Sequence, residues 1–137
     1  MAAPQELIQS IPLFSDLDKR ELQGLASSMK ERTYKEGDTI ASEGQSGVGF
    51  FVIDDGEASV SVHGEERATL KAGDYFGEVA LIDDGARTAT VTAKSDLRCY
   101  GITAWEFRPL VEQNAGIAWK LLQKMAERLR AAEQQSG

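Results

Sequence analysis

The chain has 137 residues, 42% hydrophobic and 27% charged, which fits one soluble globular domain with one core. Its 15 basic and 22 acidic residues give a net charge of −7, which argues against direct nucleic-acid binding, where clustered Lys and Arg must neutralise phosphates. No apolar run approaches the roughly 18 residues that span a bilayer, and the start, Met1-Ala2-Ala3-Pro4-Gln5-Glu6, lacks the basic and apolar regions of a secretory signal. A cytoplasmic protein without membrane contact is therefore expected.

In chain order, Asp18-Lys19-Arg20-Glu21 reads as a capping box, with Leu17 and Leu22 placed as its hydrophobic staple. Leu22, Leu25, Ala26 and Met29 follow at helical spacing, predicting a first helix that ends near Lys30. From about Arg32 the period changes. Gly-containing turn signals recur between four strand-like stretches, 49–53, 58–62, 90–93 and 97–100. In the second, Ala58, Val60 and Val62 alternate with Ser59, Ser61 and His63, and Asp55-Gly56 before it reads as a tight hairpin. Many short strands with Gly-rich turns predict a β-sandwich, jelly roll or barrel.

A second capping box, Thr103-Ala104-Trp105-Glu106, opens the C-terminal helical part, with Ile102 and Phe107 as its staple. Pro109 is expected to kink or shorten that helix, and Asn114-Ala115-Gly116 to break it and cap another. The last helix is expected to turn Ile117, Leu121, Leu122, Met125 and Leu129 to one side, and Lys120, Lys124, Glu127 and Arg130 to the other. Trp105 and Trp119 read as helix-packing residues. The organisation is a single domain, 1–137, with an N-terminal helical segment (1–31), a β-region (32–103) and C-terminal helices (104–137).

Cys99 is the sole cysteine and lies in an apolar stretch, so a buried, inert thiol is expected. His63 is the sole histidine, too few for a His-rich metal site, and no EF-hand spacing occurs. No catalytic residue, no metal site and no enzymatic activity are expected.

The segment from Gly73 to Ala89 interrupts the strand pattern. It reads as a turn into a short helix, Gly77 to Ile82, then Asp83-Asp84-Gly85-Ala86 and Arg87-Thr88-Ala89. The amides at the start of such a helix suit an anion, and Gly77 permits close approach to its backbone. Arg87 brings a planar fork of donors suited to a phosphate. Glu78 fits such a site if it accepts a hydrogen bond from the ligand, as from a sugar hydroxyl. Leu81 and Ile82 read as core.

These residues resemble the phosphate-binding cassette of the cyclic nucleotide-binding domains, the family shared by cAMP-dependent kinase regulatory subunits, catabolite activator protein and cyclic-nucleotide-gated channels. The resemblance rests on Phe76-Gly77-Glu78-Val79-Ala80-Leu81, on the spacing from Glu78 to Arg87, and on Arg87-Thr88-Ala89. Tyr34-Lys35-Glu36-Gly37-Asp38, Gly44, Gly47, Phe51-Val52-Ile53 and Gly56 extend it over nearly the whole chain. It implies a mainly β fold: an antiparallel β-roll or jelly roll (a cupin-like double-stranded β-helix) with an N-terminal helix and a C-terminal helix pair. It also implies a cassette over 76–89.

By the same resemblance Glu78 would accept the ribose 2′-hydroxyl and Arg87 would pair with the cyclic phosphate. Amides near Gly77, Val79 and Ala80 would cap that phosphate, with Phe76 beside them and Thr88 near phosphate and base. The implied ligand is cAMP, favoured over cGMP, although Thr88 does not decide between them. A side chain from the last helix (Arg128, Leu129 or Arg130) would cover the base. The implied role is that of a regulatory or sensor module, acting through cassette and helix movement on a protein effector or through a homodimer on the C-terminal helix. Two rivals weigh less. A cupin-type metalloenzyme needs clustered histidines, and an interaction domain that has lost its ligand usually lacks one of the pair that Glu78 and Arg87 supply.

Overall fold

The computed structural model describes residues 3–45, 49–78, 80–83 and 87–136. Val79, Gly47 and the turn at 84–86 lie outside the described residues. Eight strands are found among the described residues: β1 (Lys30–Tyr34), β2 (Thr39–Ala41), β3 (Phe50–Asp55), β4 (Ala58–Val62), β5 (Glu65–Leu70), β6 (Tyr75–Phe76), β7 (Thr90–Ala93) and β8 (Leu97–Ile102). They form two antiparallel four-stranded sheets, ordered β1-β8-β3-β6 and β2-β7-β4-β5. Helices α1 (Gln5–Gln9) and α2 (Lys19–Ser28) precede them. A short α3 (Ala80–Asp83) interrupts them, and α4 (Ala104–Glu112) and α5 (Ala115–Ser136) follow. This is the two-sheet roll with flanking helices that the sequence implies.

The first sheet is buried on both faces, and β3 shows why its sequence is a continuous apolar run rather than an alternation. Phe51 and Ile53 point into the roll with Ile40, Val91, Leu97 and Cys99. Phe50 and Val52 point the other way, into a second cluster with Phe14, Leu25, Phe107, Ile117 and Leu121 from the helical segments. Strand β8 divides likewise: Leu97 and Cys99 lie inside, Tyr100 and Ile102 against the helices. The layers are thus helices, double-sided sheet and outer sheet.

Both capping boxes form. The Glu21 amide donates to Asp18 Oδ1 at 2.8 Å and the Asp18 amide to Glu21 Oε1 at 2.9 Å. The Thr103 amide donates to Glu106 Oε1 at 3.0 Å and the Glu106 amide to Thr103 Oγ1 at 3.3 Å. These bonds hold the Glu106 carboxyl below its ordinary range. Each staple pair, Leu17 with Leu22 and Ile102 with Phe107, is buried in the helical cluster.

Several expectations are corrected. Helix α2 ends at Ser28, because Met29 turns extended (φ −86°, ψ 141°) and Lys30 already pairs with β8. Helix α1 and a 3-10 turn at Pro12–Phe14 had no clear periodic signal, being too short to show one. Asp55-Gly56 is not a hairpin: β3 and β4 belong to different sheets and do not pair. It is a corner that carries the chain from one sheet to the other. Gly56 sits there at φ +98°, where a Cβ would meet the Asp96 carbonyl oxygen and stand 2.9 Å from Leu97 Cα. The hairpin is one turn later, at His63-Gly64, both at positive φ, between the paired β4 and β5.

At the other end, α4 accommodates Pro109 and ends three residues beyond it, at Glu112. Asn114 makes the expected break, with its side-chain amide donating back to the Leu110 carbonyl at 2.7 Å. In α5, Ile117 and Leu121 are buried, but Leu122 and Leu129 are not, because the helix meets the body over a narrower face than its apolar residues cover. Trp105, Trp119 and Ile82 are also exposed, contrary to expectation. The side expected to face solvent instead turns Lys120 toward Glu21 and Lys124 toward Asp16. Among the described residues no helix is long and apolar enough to cross a membrane.

Cys99 is fully buried in the roll, and desolvation pushes its thiol from 9.0 up to about 12. The folded protein should therefore resist thiol-specific reagents at pH 8 and become labelled only on unfolding in denaturant. Stability should also fall as pH rises above the usual thiol range of about 8.5, since the unfolded chain then releases a proton that the folded chain keeps. Rapid labelling of the native protein, at the rate of an exposed thiol, would contradict this.

Candidate functional site

The site lies where β6 ends. Strand β6 is held on β3 by the pairs Phe51↔Phe76 and Val52↔Tyr75. The Phe76 ring stacks on Phe51 with centroids 5.2 Å apart, so its side chain is committed to the roll interior. Gly77 follows at φ +89°, turning the chain out of the strand. Helix α3 therefore starts at Ala80 and not at Gly77, and Glu78 precedes the helix instead of belonging to its first turn. Leu81 is buried among the helical cluster, as expected, whereas Ile82 is about half exposed. Val79 is not among the described residues.

Arg87 returns to the same point with its main chain clamped. Its amide donates to the Gln45 carbonyl at 2.9 Å, and its carbonyl accepts from the Gly44 amide at 2.8 Å. Its side chain crosses to Gly49, where Nη2 donates to the main-chain carbonyl. The guanidinium also packs over Gly77: a Cβ on that residue would meet the Gly49 carbonyl oxygen and Arg87 Nη1. Arg87 Nε is buried and has no hydrogen-bond partner. Desolvation lowers the Arg87 pKa from its ordinary value, and the nearby Glu78 carboxylate partly offsets that.

Glu78 is largely covered, with its side chain 19% exposed, and its Oε1 lies 3.5 Å from Arg128 Nη1 of α5. Of the expected residues, then, Gly77, Glu78 and Arg87 come together, Ala80 opens the adjacent helix, and Thr88 is exposed beside them. The Gly49 carbonyl, the Gly44–Gln45 clamp and the Arg128 contact had not been anticipated. Gly49 reads in sequence only as one of several turn glycines, and nothing local ties it to Arg87. Chemically the arrangement is a half-buried cation with an unused donor, beside a carboxylate held by a second cation. It suits a ligand carrying an anion next to a hydroxyl. Among the described residues no three His, Cys, Asp or Glu side chains are grouped to hold a metal ion.

A two-sheet antiparallel roll with flanking helices and an Arg–Glu cassette after its sixth strand defines the class of protein. The model of the cyclic nucleotide-binding domain matches residues 31–114, and the chain belongs to that family. It is 43% identical, over 93 residues, to the cAMP-dependent protein kinase regulatory subunit of Yarrowia lipolytica, a match covering 66% of this chain and 25% of the relative. It is 40% identical over 95 residues to the corresponding subunit of Schizosaccharomyces pombe, covering 69% and 23%. The chain thus spans about a quarter of the length of these relatives. Among solved structures it is similar to the N-terminal domain of a transcriptional regulator from Streptomyces coelicolor (TM-score 0.89, 28% identity, 96% and 95% of the two chains). It is also similar to Thermus thermophilus catabolite activator protein (TM-score 0.70, 27%, 91% and 61%) and to cAMP-bound PfPKA-R (TM-score 0.69, 27%, 89% and 46%).

Replacing Gly77 by alanine should both strain a positive-φ position and displace the Arg87 guanidinium. Urea unfolding should show a loss of about 2 kcal/mol. An unchanged midpoint would mean that neither the turn nor the Arg87 seat is constrained as described.

Proposed function

We propose that this domain binds cAMP at the junction of Glu78 and Arg87 and serves as a regulatory module in which ligand binding repositions α3 and α5. The observation that carries the reading is the buried, unpartnered Nε of Arg87. A buried guanidinium donor without an acceptor is costly, and a phosphate oxygen satisfies it with a charge-assisted bond. Amides near Gly77, Val79 and Ala80 are proposed to complete the phosphate seat, Glu78 to accept the ribose 2′-hydroxyl, and Thr88 to lie at the base end. Preference for cAMP over cGMP is supported by the relatives, which are named as cAMP-dependent kinase regulatory subunits, and by the cAMP-bound structural neighbour.

The site does not carry the groups of an enzyme, and the proposed output is mechanical. Leu81 joins α3 to the cluster containing Phe107, Ile117 and Leu121 of α4 and α5, so a shift of the cassette is felt by both helices. The receiver is proposed to be a second copy of the chain. On α5, Ala118, Leu122, Met125, Leu129 and Ala132 follow the alternating four- and three-residue spacing of a coiled-coil seam, and Leu122 and Leu129 are exposed.

Calorimetric titration with cAMP and cGMP tests the binding claim. Saturable heat is expected with cAMP and weaker binding with cGMP, and no heat or thermal shift with millimolar nucleotide would overturn it. Arg87→Ala should weaken binding by about 2–5 kcal/mol, by removing a buried charge partner. Glu78→Ala should cost about 1–3 kcal/mol, by removing a charged acceptor. Equal affinity in the Arg87 variant would refute the mechanism. In sedimentation, Leu122→Glu combined with Leu129→Glu should reduce self-association, and a monomer at all concentrations in the unaltered chain would refute the dimer.

A further inference from the structure

Three basic residues of α5 recur at four-residue spacing, and each meets an acid from a different place in the fold. Lys120 Nζ donates to Glu21 Oε1 at 2.6 Å, Lys124 Nζ lies 3.3 Å from Asp16 Oδ2, and Arg128 Nη1 lies 3.5 Å from Glu78 Oε1. That spacing puts all three on one face of the helix. Glu21 is itself locked in the capping box of α2, so the first contact meets a fixed carboxylate. Together the first two contacts set the rotation and axial position of α5, and the third then falls on Glu78.

Glu78 is also the carboxylate that acts on Arg87, so two guanidinium groups share it. A carboxylate has two oxygens and about four acceptor sites. Arg128 engages Oε1, which leaves Oε2 available to a hydroxyl.

We propose that Arg128 is a positioning residue for ribose recognition: by holding Glu78 Oε1 it aims the carboxylate at the ribose 2′-hydroxyl. The inference rests on the cAMP reading above. It assigns Arg128 to the carboxylate instead of to the base, since its guanidinium is already turned toward Glu78. It also makes α5 and the hydroxyl communicate through one side chain. By linkage, whatever the placement of α5 contributes to hydroxyl affinity, the hydroxyl returns to the placement of α5.

Calorimetry with cAMP and 2′-deoxy-cAMP on the unaltered chain and on Arg128→Gln, Arg128→Lys and Glu78→Gln separates the possibilities. The unaltered chain should prefer cAMP. Arg128→Gln should lose about tenfold in affinity for cAMP and little for the deoxy nucleotide, the scale of one charge-assisted hydrogen bond. Arg128→Lys should recover part of the loss, and Arg128→Gln should add nothing further in the Glu78→Gln background. Equal losses on both nucleotides would make Arg128 a general lid or packing residue and overturn the proposal. Tighter cAMP binding by Arg128→Gln would mean that it competes with the ligand, which also overturns it. If the unaltered chain bound neither nucleotide, the reading of the site would fail before any substitution was compared, and this inference with it.

Discussion

The structure of the site depends on how one cation, Arg87, is held. Its amide and carbonyl are bonded to Gln45 and Gly44, which follow β2, and its side chain ends on the carbonyl of Gly49, which leads into β3. The residue therefore ties together the two segments that flank 46–48, and it does so across the turn at Gly77. A guanidinium in that position loses hydration, seen in its lowered pKa, and receives only part of its hydrogen-bonding complement in return. Glu78 offsets some of that cost through its charge. In a chain with a net charge of −7, such a local arrangement is what allows an anion to be attracted at all.

Everything that fixes Arg87 is in turn fixed by the double-sided sheet. Strand β3 carries β6 on one edge and β8 on the other, while its side chains alternate between the roll and the helices. Gly49 stands against the Ile102 carbonyl so closely that a Cβ there would collide with it, which sets the Gly49 carbonyl relative to β8. The rigidity of the roll is what makes a partly satisfied charge tolerable. It costs little extra to keep a donor unpaired when the surrounding backbone cannot collapse onto it.

Features fixed by local chemistry were legible in the sequence. Both capping boxes, the strands at 58–62 and 90–93, and the buried Cys99 follow from short-range pattern and composition. The family resemblance added the roll and the cassette. What failed to show depended on pairings distant in sequence. Asp55-Gly56 has the composition of a hairpin, but whether its flanking strands pair is decided by β8, whose arrival on β3 takes the place that β4 would occupy. The apolar face of α5 is visible as a period, yet only the width of the docking surface decides that Ile117 is covered and Leu129 is not. The contact of Arg87 with Gly49 spans 38 residues and that of Arg128 with Glu78 spans 50, so no window of sequence contains either.

The cassette is joined to the helices by two links of different physical kind, and the difference bears on how a ligand signal would pass. Leu81 is an apolar link, buried with Phe107, Ile117 and Leu121, and such a link transmits displacement because a close-packed cluster cannot absorb a shifted side chain without repacking. The Glu78–Arg128 pair is a polar link at 3.5 Å, partly open to solvent, and it transmits charge and orientation over a range that salt attenuates. A ligand acting only on Leu81 would move α4 and α5 together, since both share that cluster. One that also drew on Glu78 would act on α5 alone, near its C-terminal half, where the helix makes few other contacts with the body. In the proposed reading, the phosphate end of the nucleotide addresses the first link and the ribose end the second. The two halves of one ligand would then control the position and the docking of α5 separately, so high ionic strength should weaken the second effect while leaving the first.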